Sequence, residues 1–455
     1  MTGPGAARDR SPGGASGRSL AAGPADLVVV GAGPAGSSLA ARLAAEGVRV
    51  VLLDERSFPR SKPCGDCLSP GATPLLEELG VLEELTRETA ARLDGWRLQA
   101  PGGARFEGRF GRDAEGRRVR GLALPRRQLD AALLRAAARA GADVREGVRV
   151  VDLTWRGGRV AGVLVRRSDG REATIPARLV AGADGLRSTV ARRMGGVRRG
   201  RRRKLALVAR YSEGPAVAPG TTFGEMRVSA EGCSGLAPLG GGRWNVTVVV
   251  PASKASAVAA SREAFLESRL RAYGVAKRLA GARRVGAIEV TGPFEVVPRR
   301  VAGPGAFLVG DAAGYFDPFT GQGIYRALAT GRLAATHARA ALGSRSEADE
   351  RAQDRRYARE LEGLVAPSRR VQRLIDLVVG RPALMDAAAW LLARRRGLAD
   401  VLVDVTGDIL PAGEMLEPRR LARALFHGGR GEGGDAARRH PEPRPCRLGR
   451  RDAHA

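Results

Sequence analysis

A glycine pattern near the start of the chain constrains the fold more than any other feature. Gly31, Gly33 and Gly36 lie between an apolar strand predicted over Asp26 to Gly31 and a helix predicted over Pro34 to Glu46. The first glycine permits a tight turn, the second lets the backbone approach a phosphate, and the third lets the helix pack closely on the strand. This context predicts a β-α-β unit that binds a dinucleotide.

The neighbouring residues supply the other contacts expected of such a unit. Pro34 and Ala35 begin the helix, whose N-terminal N–H groups and positive dipole end suit a pyrophosphate. A second strand is predicted over Val48 to Asp54, about 20 residues further on, where a carboxylate accepts ribose hydroxyls. We prefer Asp54 as that acceptor because the strand ends there; Glu55 is its neighbour.

A second carboxylate after a predicted strand indicates which dinucleotide binds. Residues 306–314 are predicted to form a strand that runs into a turn containing Gly310 and Asp311. An acidic residue there can bind the ribityl hydroxyls of a flavin. The helix that follows would stabilise negative charge at the flavin N1/C2=O edge through its N-terminus. Its opening residues include Gly321, Gly323 and Ile324.

Three segments together resemble a known flavoprotein superfamily. The glycine pattern, the pair Asp184-Gly185 and the turn with Asp311 occur in the order found in p-hydroxybenzoate hydroxylase, aromatic hydroxylases, flavin-dependent halogenases and geranylgeranyl reductases, across residues 26–335. The resemblance implies FAD as the cofactor, with Asp311 on the ribityl chain and Asp184-Gly185 where FAD meets its nicotinamide donor. It also implies NAD(P)H as electron donor without a separate domain, and the chain has no second glycine fingerprint.

The resemblance implies further site residues near the cofactor. Arg126 falls where the family often has an arginine near the FAD phosphates, and Arg127 is the alternative. Asp317 and Pro318 would lie close to the isoalloxazine. Asp317 either caps a helix or exchanges a proton with substrate, and both interpretations stay open. A histidine is not expected in catalysis, because three of the four histidines lie in the C-terminal tail.

One loop indicates which branch of the superfamily the chain resembles. Residues 58–70 closely resemble the "FPR-x-K-x-CGD-x-L-x-P" stretch of geranylgeranyl-reductase-like proteins and their monooxygenase relatives. In that family the loop approaches the flavin, so Cys64 either faces the flavin or substrate or simply packs. Cys67 stands where glycine is common and creates a Cys-x-x-Cys, for which a redox role is the alternative to packing. We expect no metal site, because no second ligand pair is present.

A departure from the family bears on the reaction. Geranylgeranyl reductases carry an aromatic lid motif resembling Tyr-x-Trp-x-Phe-Pro, and the aromatic positions are here Cys233, Gly235 and Ala237. The Trp-x-Trp-x-Ile-Pro motif of halogenases is also missing. Small residues remove the aromatic wall that grips a prenyl chain. The sequence therefore favours an NAD(P)H-dependent monooxygenase that hydroxylates a small hydrophobic or aromatic substrate through a flavin C4a-hydroperoxide.

Two other functions remain open. The first is a geranylgeranyl-reductase-like enzyme that reduces C=C bonds of an isoprenoid. The second is a flavin-binding redox sensor that uses Cys64 and Cys67.

Composition and charge bear on which kinds of partner this protein could bind. The net charge is +28, but four of the 76 basic residues are lysines, a skew that indicates GC-rich coding more than selection for nucleic acid. Four scattered cysteines and no long apolar run predict a cytoplasmic protein without a transmembrane segment. Apolar stripes in the arginine-rich C-terminal helices favour packing or a dimer face, with peripheral membrane contact as the alternative. The sequence does not determine the oligomeric state.

The predicted fold class is α/β. A Rossmann-like FAD-binding domain would comprise residues 25–80, 118–195 and 296–345, interleaved with an antiparallel-sheet substrate domain of residues 81–117 and 196–295. A C-terminal helical region would cover 346–426, and the tails 1–24 and 427–455 are predicted to be disordered. Further strands are predicted over 148–156, 159–167, 171–176, 179–183, 205–212, 221–230 and 243–250, and helices over 126–140 and 261–273.

Overall fold

The computed structural model describes residues 24–413 except 88–89, 114, 201–202 and 215–221, together with residues 417 and 422. The predicted disordered tails therefore lie outside the described residues, apart from Pro24. The strands are β1 Ala25–Val30, β2 Val50–Leu53, β3 Cys67–Leu68, β4 Ala91–Leu93, β5 Gly95–Gln99, β6 Arg105–Arg109, β7 Gly121–Ala123, β8 Asp143–Arg145, β9 Val148–Arg156, β10 Arg159–Arg167, β11 Glu172–Gly182, β12 Val197–Arg199, β13 Lys204–Ser212, β14 Phe223–Ser229, β15 Gly232–Gly240, β16 Arg243–Pro251, β17 Arg283–Thr291, β18 Val296–Pro298, β19 Ala302–Gly303 and β20 Ala306–Leu308. The α-helices are α1 Pro34–Ala45, α2 Ala72–Glu78, α3 Leu82–Arg87, α4 Arg126–Arg139, α5 Thr189–Arg193, α6 Ala255–Ala260, α7 Arg262–Ala272, α8 Gly323–Leu342, α9 Glu347–Val379, α10 Pro382–Arg394 and α11 Arg396–Thr406.

A mostly parallel central sheet contains the predicted dinucleotide unit. Its strand order is β19-β20-β11-β1-β2-β8, and β1 pairs in parallel with β11 on one side and β2 on the other. Both faces of β1 are covered: Leu27 and Val29 pack with α1 and α8, and Val28 and Val30 pack with β10. Such two-sided burial is why the strand is apolar at successive positions.

Strand β11 corrects one prediction. The alternating pattern predicts a meander strand at 171–176 and a separate parallel strand at 179–183. In the structure β11 is continuous: Ile175 pairs antiparallel with Val163 of β10, and Leu179 pairs in parallel with Leu27 of β1. Pro176 is accommodated opposite Gly162, which itself has a positive φ of 155°. One strand therefore joins the β-meander to the central sheet.

The second sheet lies beside the central sheet, with strand order β17-β13-β16-β15-β14-β5-β6. Its pairs are antiparallel except β14 with β5, which run in parallel. The central strand β15 was missed in the sequence because Gly, Ser and Pro are poor strand formers. Residues alternate across β16: Val246 and Val248 pack under α7, whereas Val249 faces the opposite side.

The C-terminal helices connect the two sheets. Tyr357 of α9 donates a hydrogen bond to Leu308 O in β20 at 2.6 Å. Further along α9, Asp376 Oδ1 accepts from Lys204 Nζ of β13 at 2.5 Å. Helix α11 lies against β6, and Asp404 Oδ1 accepts from Gly111 N at 2.7 Å. These contacts hold the second sheet beside the carboxyl ends of the central strands.

Candidate functional site

Two adjoining cavities lie at the carboxyl ends of the central strands. The larger, about 690 Å³, lies over the β1–α1 turn. The smaller, about 210 Å³, lies between this edge and the second sheet. Lys62 and Pro63 line both cavities, so the two are contiguous. A groove of this kind at the carboxyl edge of a parallel sheet is the usual ligand position in open α/β folds.

The structure distributes the predicted site residues over both cavities. The larger cavity is lined by Gly31, Gly33, Asp54, Glu55, Asp184 and Gly185. The smaller cavity is lined by Pro34, Cys64, Arg126, Asp311, Pro318, Gly321, Gly323 and Ile324. Ala35, Gly36 and Gly310 line neither cavity. Asp317 lines neither cavity.

The three glycines of the pattern are needed for different reasons. Gly31 has a φ of 99°, and a Cβ there would meet Ala183 O at 2.5 Å. A Cβ on Gly36 would meet Gly31 O at 1.9 Å. At Gly33 the nearest atom to a Cβ would be Arg60 Nη2 at 3.9 Å, so that position faces open space. Backbone packing explains the first and third glycines, and only a ligand explains the second.

Asp54 is held firmly at the edge of the larger cavity. Its Oδ2 accepts hydrogen bonds from Ala32 N at 2.9 Å and Arg60 Nη2 at 3.3 Å. Its Oδ1 accepts from Arg56 N at 3.0 Å. Glu55 lines the same cavity but is exposed, 3.8 Å from Arg149. A carboxylate positioned by two backbone amides is a pre-organised acceptor for hydroxyl groups.

Arg126 lies in a buried charge network. Its guanidinium pairs with Asp130 through two hydrogen bonds of 2.9 Å, and Arg60 Nη1 reaches the same carboxylate at 3.2 Å. Arg126 lines the smaller cavity, whereas Arg127 is exposed and lines neither cavity. Arg60 also pairs with Asp54, so two arginines and two carboxylates form one network at the junction of the cavities.

Asp184 has one oxygen engaged and one without a partner. Its Oδ2 accepts from Thr189 N at 2.6 Å and from Val190 N at 3.3 Å at the start of α5. Its Oδ1 is buried and has no hydrogen-bond partner among the described residues. Burial raises the pKa of Asp184. An orphaned buried acceptor is costly unless a ligand donates to it.

The sequence analysis missed Lys62. Its side chain forms no ion pair with the described residues, although it lines both cavities. Burial lowers the pKa of Lys62, and the neighbouring Arg126 lowers it further, while Asp311 opposes both. A bound anion would relieve this cost. Lys62 is one of four lysines in an arginine-rich chain, and this rarity is a sequence signal that could have identified it.

The start of α8 forms another wall of the smaller cavity. Gly321, Gly323 and Ile324 line it, and the helix behind them is 20 residues long. Its N-terminal N–H groups and dipole favour negative charge in the cavity. Gly310 N donates to Thr330 Oγ1 at 3.0 Å, which fixes the Asp311 turn to this helix.

Asp317 belongs to an ion cluster instead of a cavity wall. Its Oδ1 accepts from Phe319 N at 2.8 Å, within a turn before α8, and its Oδ2 lies 2.7 Å from Lys204 Nζ. It does not cap α8, whose N-cap residue is Gln322, so the helix-capping interpretation does not hold. Lys204 also bonds Asp376. Burial would lower the pKa of Lys204, but the two carboxylates raise it well above its usual value. Asp317 is therefore engaged in a turn and an ion pair outside both cavities.

The two cysteines of the loop have different surroundings. Cys64 lines the smaller cavity beside the Arg126 guanidinium, and its carbonyl accepts from Asn245 Nδ2 at 2.9 Å. Cys67 begins β3, and burial raises its pKa well above the usual value, with Cys64 and Asp66 adding to the rise. Both are free thiols. Because a thiol must ionise to react, the surroundings of Cys67 argue against a redox-active pair.

Asp66 attaches this loop to the second sheet, which the sequence analysis did not foresee. It is fully buried, and its Oδ2 accepts from Arg210 Nε at 3.0 Å and Asn245 Nδ2 at 2.8 Å. Its Oδ1 accepts from Arg126 N at 3.1 Å. Burial raises the pKa of Asp66, and Arg210 opposes the rise. The loop is thereby fixed between both sheets.

The far wall of the smaller cavity is mainly apolar. Cys233, Gly235 and Ala237 lie on it, as the small-residue interpretation requires, and nothing lies within 4 Å of a Cβ built on Gly235. The remaining residues of this wall include Trp96, Met226, Val249, Phe294, Tyr315 and Phe319. Tyr315 was not anticipated. Burial raises its pKa well above the usual value, and Asp311 and Asp317 raise it further.

The residues present fit an FAD molecule. The open space at Gly33, the orphaned oxygen of Asp184 and the unneutralised charge of Lys62 all lie on the larger cavity. Phosphates and ribose hydroxyls would satisfy each of them. Asp311 and the start of α8 would then hold the flavin part beside the smaller cavity.

Comparisons with known proteins show which family the chain resembles. Residues 24–342 match the family described as an FAD binding domain. The chain is 36% identical over 331 residues to a menaquinone reductase of Mycolicibacterium smegmatis, covering 68% of this chain and 75% of that one. It is 33% identical over 329 residues to digeranylgeranylglycerophospholipid reductase 2 of Methanothermobacter thermautotrophicus, covering 70% and 79%.

A solved structure of an FAD-dependent enzyme has a similar fold. The myxobacterial chondrochloren halogenase, described as a variant of FAD-dependent halogenases, superposes with a TM-score of 0.68 and 26% identity, over 83% of this chain and 96% of that one. The predicted α/β fold class and the resemblance to the superfamily are thereby confirmed. The chain belongs to the FAD binding domain family of FAD-dependent oxidoreductases.

Proposed function

We propose that this enzyme reduces carbon–carbon double bonds in an isoprenoid chain, using FAD that NAD(P)H has reduced. The observation that carries the proposal is the match to two proteins named as reductases of menaquinone and of digeranylgeranylglycerophospholipid. Both of those compounds carry isoprenoid chains. The apolar wall of the smaller cavity supports the proposal, because a hydrocarbon chain gains free energy by leaving water for such a surface.

The chain's own residues would position the substrate and supply a proton. Reduction of an alkene adds a hydride to one carbon and a proton to the other. Bound FAD supplies the hydride when it is reduced. Tyr315 lines the cavity, and its phenol carries a proton at neutral pH. We assign the proton to Tyr315, with the Cys64 thiol as the alternative donor in the same cavity.

An anaerobic turnover experiment tests the proposal. The FAD-loaded protein is incubated with NADPH or NADH and either menaquinone or a digeranylgeranylglycerol phospholipid, without oxygen. After air has reoxidised any menaquinol to menaquinone, mass spectrometry should find product that keeps a gain of two hydrogen atoms for each C=C bond reduced. No product from either lipid, with flavin that NAD(P)H does reduce, would contradict the proposal. Flavin that neither nucleotide reduces would contradict the choice of electron donor.

Hydroxylation is the second candidate, and one observation favours it. Cys233, Gly235 and Ala237 widen the cavity where an aromatic lid would grip a prenyl chain. To test it, the reduced protein is mixed rapidly with oxygenated buffer, with and without small aromatic compounds. A resolved absorbance transient between reduced and oxidised flavin supports this function. Single-step reoxidation under every condition, together with anaerobic reduction of a lipid, would exclude it.

A further inference from the structure

Helices α9 and α10 present large apolar side chains to solvent. Leu374 and Leu377 of α9 are 44% and 38% exposed. On α10, Leu384, Trp390 and Leu391 are 47%, 53% and 42% exposed. We call these five residues the α9–α10 surface. Clustered exposed apolar side chains mark an interaction site, whereas single ones need no explanation.

Helix α10 is apolar on both of its sides. Met385 and Ala389 are buried against the protein. Its exposed positions, apart from Arg394, are Pro382, Ala383, Leu384, Ala387, Trp390, Leu391 and Ala393. A helix that is hydrophobic all round is normally covered on every side. The outer side of α10 therefore needs an apolar partner.

The charged residues of this region are segregated by sign. Its aspartates face inward: Asp386 accepts from Gly102 N at 2.6 Å, Asp400 from Arg109 N at 2.8 Å and Asp404 from Gly111 N at 2.7 Å. Asp376 pairs with Lys204. Arginines instead occupy exposed positions around the apolar residues: Arg370, Arg373, Arg381 and Arg394. The outward side is thus apolar and cationic.

We propose that the α9–α10 surface docks on a lipid bilayer that contains anionic lipids. Leucines and a tryptophan would enter the interfacial region, and the surrounding arginines would contact lipid phosphates. Arg394 already lies 3.7 Å from the centre of the Trp390 ring, an arrangement that keeps both at the headgroup level. A second copy of the chain fits less well, because a two-fold contact would bring the arginines of both copies together. Among the described residues no helix is long and apolar enough to cross a bilayer, so the contact is peripheral.

The position of the surface relates it to the substrate cavity. A groove of about 680 Å³ runs between α10, α11 and the second sheet, lined by Leu392, Ala393 and Arg396. Met226 lines both this groove and the smaller cavity. Docking would place the groove next to the bilayer, where a lipid substrate resides. This consequence rests on the proposed function, whereas the docking itself does not.

Vesicle flotation of the full-length, FAD-loaded protein tests the docking. The vesicles are phosphatidylcholine alone or with roughly 30% phosphatidylglycerol. We expect binding to the anionic vesicles that weakens with salt, and about tenfold weaker binding for Trp390→Ser/Leu391→Ser. The matched control is Trp155→Ser on β9, because Trp155 is 50% exposed outside the surface. It should bind as the wild type does, and both variants should keep their flavin.

A second variant separates charge from apolar contact. Arg373→Gln/Arg381→Gln/Arg394→Gln should lose most of the preference for anionic vesicles and most of the salt dependence. Binding to neither vesicle at low salt would overturn the proposal, and so would equal binding of the wild type and the Trp390 variant. Sedimentation velocity gives the remaining outcome: a dimer that Trp390→Ser/Leu391→Ser dissociates would assign the surface to a second copy and overturn the proposal. Each of these readouts is independent of the reaction catalysed.

Discussion

The two adjoining cavities differ in how their walls are built. The larger is formed at strand ends of one parallel sheet, where Gly31 and Asp54 directly follow strands and Asp184 is the second residue after β11. The smaller is formed by side chains from the second sheet, the Cys64 loop and the start of α8. Strand ends require particular backbone conformations, and therefore few residue types. A wall of side chains can change one residue at a time without moving the backbone. Cofactor binding is thus constrained locally, whereas substrate choice depends on tertiary contacts.

Gly33→Val should prevent cofactor binding in the larger cavity and leave the smaller cavity unchanged. We expect this change to have the largest effect of those considered. The space around a Cβ at this position is open, so the chain should fold, but the valine would occupy the place of the pyrophosphate. We expect at least roughly 100-fold weaker FAD binding and protein purified nearly free of flavin. The ratio of flavin to protein absorbance measures the loss, and circular dichroism checks the fold.

Gly235→Val is the matched control for that change. Its Cβ would meet nothing within 4 Å, so this position is open as well, but it lies on the smaller cavity. This variant should retain a full complement of flavin and bind substrate more weakly. Equal flavin loss in the two variants would contradict the distinction between the cavities.

Tyr315→Phe should affect catalysis and not cofactor binding. If Tyr315 supplies the proton, kcat should fall about 100-fold with little change in KM, while flavin content stays the same. Cys64→Ser is the variant for comparison, because Cys64 lines the same cavity as Tyr315. A large loss in Cys64→Ser with normal turnover in Tyr315→Phe would transfer the proton-donor role to Cys64.

Lys62→Met should have an intermediate effect at the junction of the cavities. Because Lys62 forms no ion pair with the described residues, the anionic groups of FAD are its expected partners. We expect FAD binding weakened about tenfold and a more negative midpoint potential, since reduced flavin carries more negative charge. Titration calorimetry and a dye-coupled redox titration measure the two quantities.

Lys254→Met serves as the control for Lys62. Lys254 lies in the short 3₁₀ helix after β16, 3.7 Å from Glu231, and lines neither cavity. Its replacement should leave both quantities unchanged. A Lys62 variant that matches it in both would remove Lys62 from the site.

Asp408→Asn should change only the pH dependence of stability, the smallest expected effect. Asp408 accepts from Ser69 Oγ at 2.7 Å and Gln322 Nε2 at 2.6 Å, and burial raises its pKa from the usual 3.8 to about 7. The folded state therefore retains a proton that the unfolded state loses, and stability falls as pH rises between these values. The free energy of unfolding of the variant should not depend on pH in this way. At pH 8 it should exceed that of the wild type by on the order of 2 kcal/mol. Thermal unfolding at pH 4 and pH 8 measures the difference, and an unchanged slope would contradict the assignment.

Local patterns predicted much of the central sheet and its ligand. A buried parallel strand followed by a glycine turn and a helix can be recognised over about 30 residues, because every contact involved is short in sequence. Strand β11 was divided at Pro176 because the tolerance of that proline depends on Gly162 in a neighbouring strand. Strand β15 was missed because its stability comes from pairing with β14 and β16 and not from its own residues.

The side chains around Asp66 and Asp317 illustrate what local patterns could not predict. Asp66 receives hydrogen bonds from Arg210 and Asn245, and Asp317 pairs with Lys204. These partners are more than 100 residues away in the chain. No spacing rule links them, so the ion pair of Asp317 with Lys204 could not be recognised in advance.

The sequence by itself determined that this chain binds a dinucleotide at strand ends, because Gly31 and Gly36 satisfy steric requirements that hardly depend on the rest of the fold. Only the tertiary structure decided which groups line the smaller cavity, because Cys64, Gly235 and Tyr315 meet through the docking of one sheet against the other. It also decided which residues lie on the outward side of α9 and α10. Asp386 of α10 turns inward because Gly102 N donates to it, Asp376 of α9 pairs with Lys204, and the arginines remain outside. Contacts between distant segments carry this information, and a pattern along the chain does not contain it.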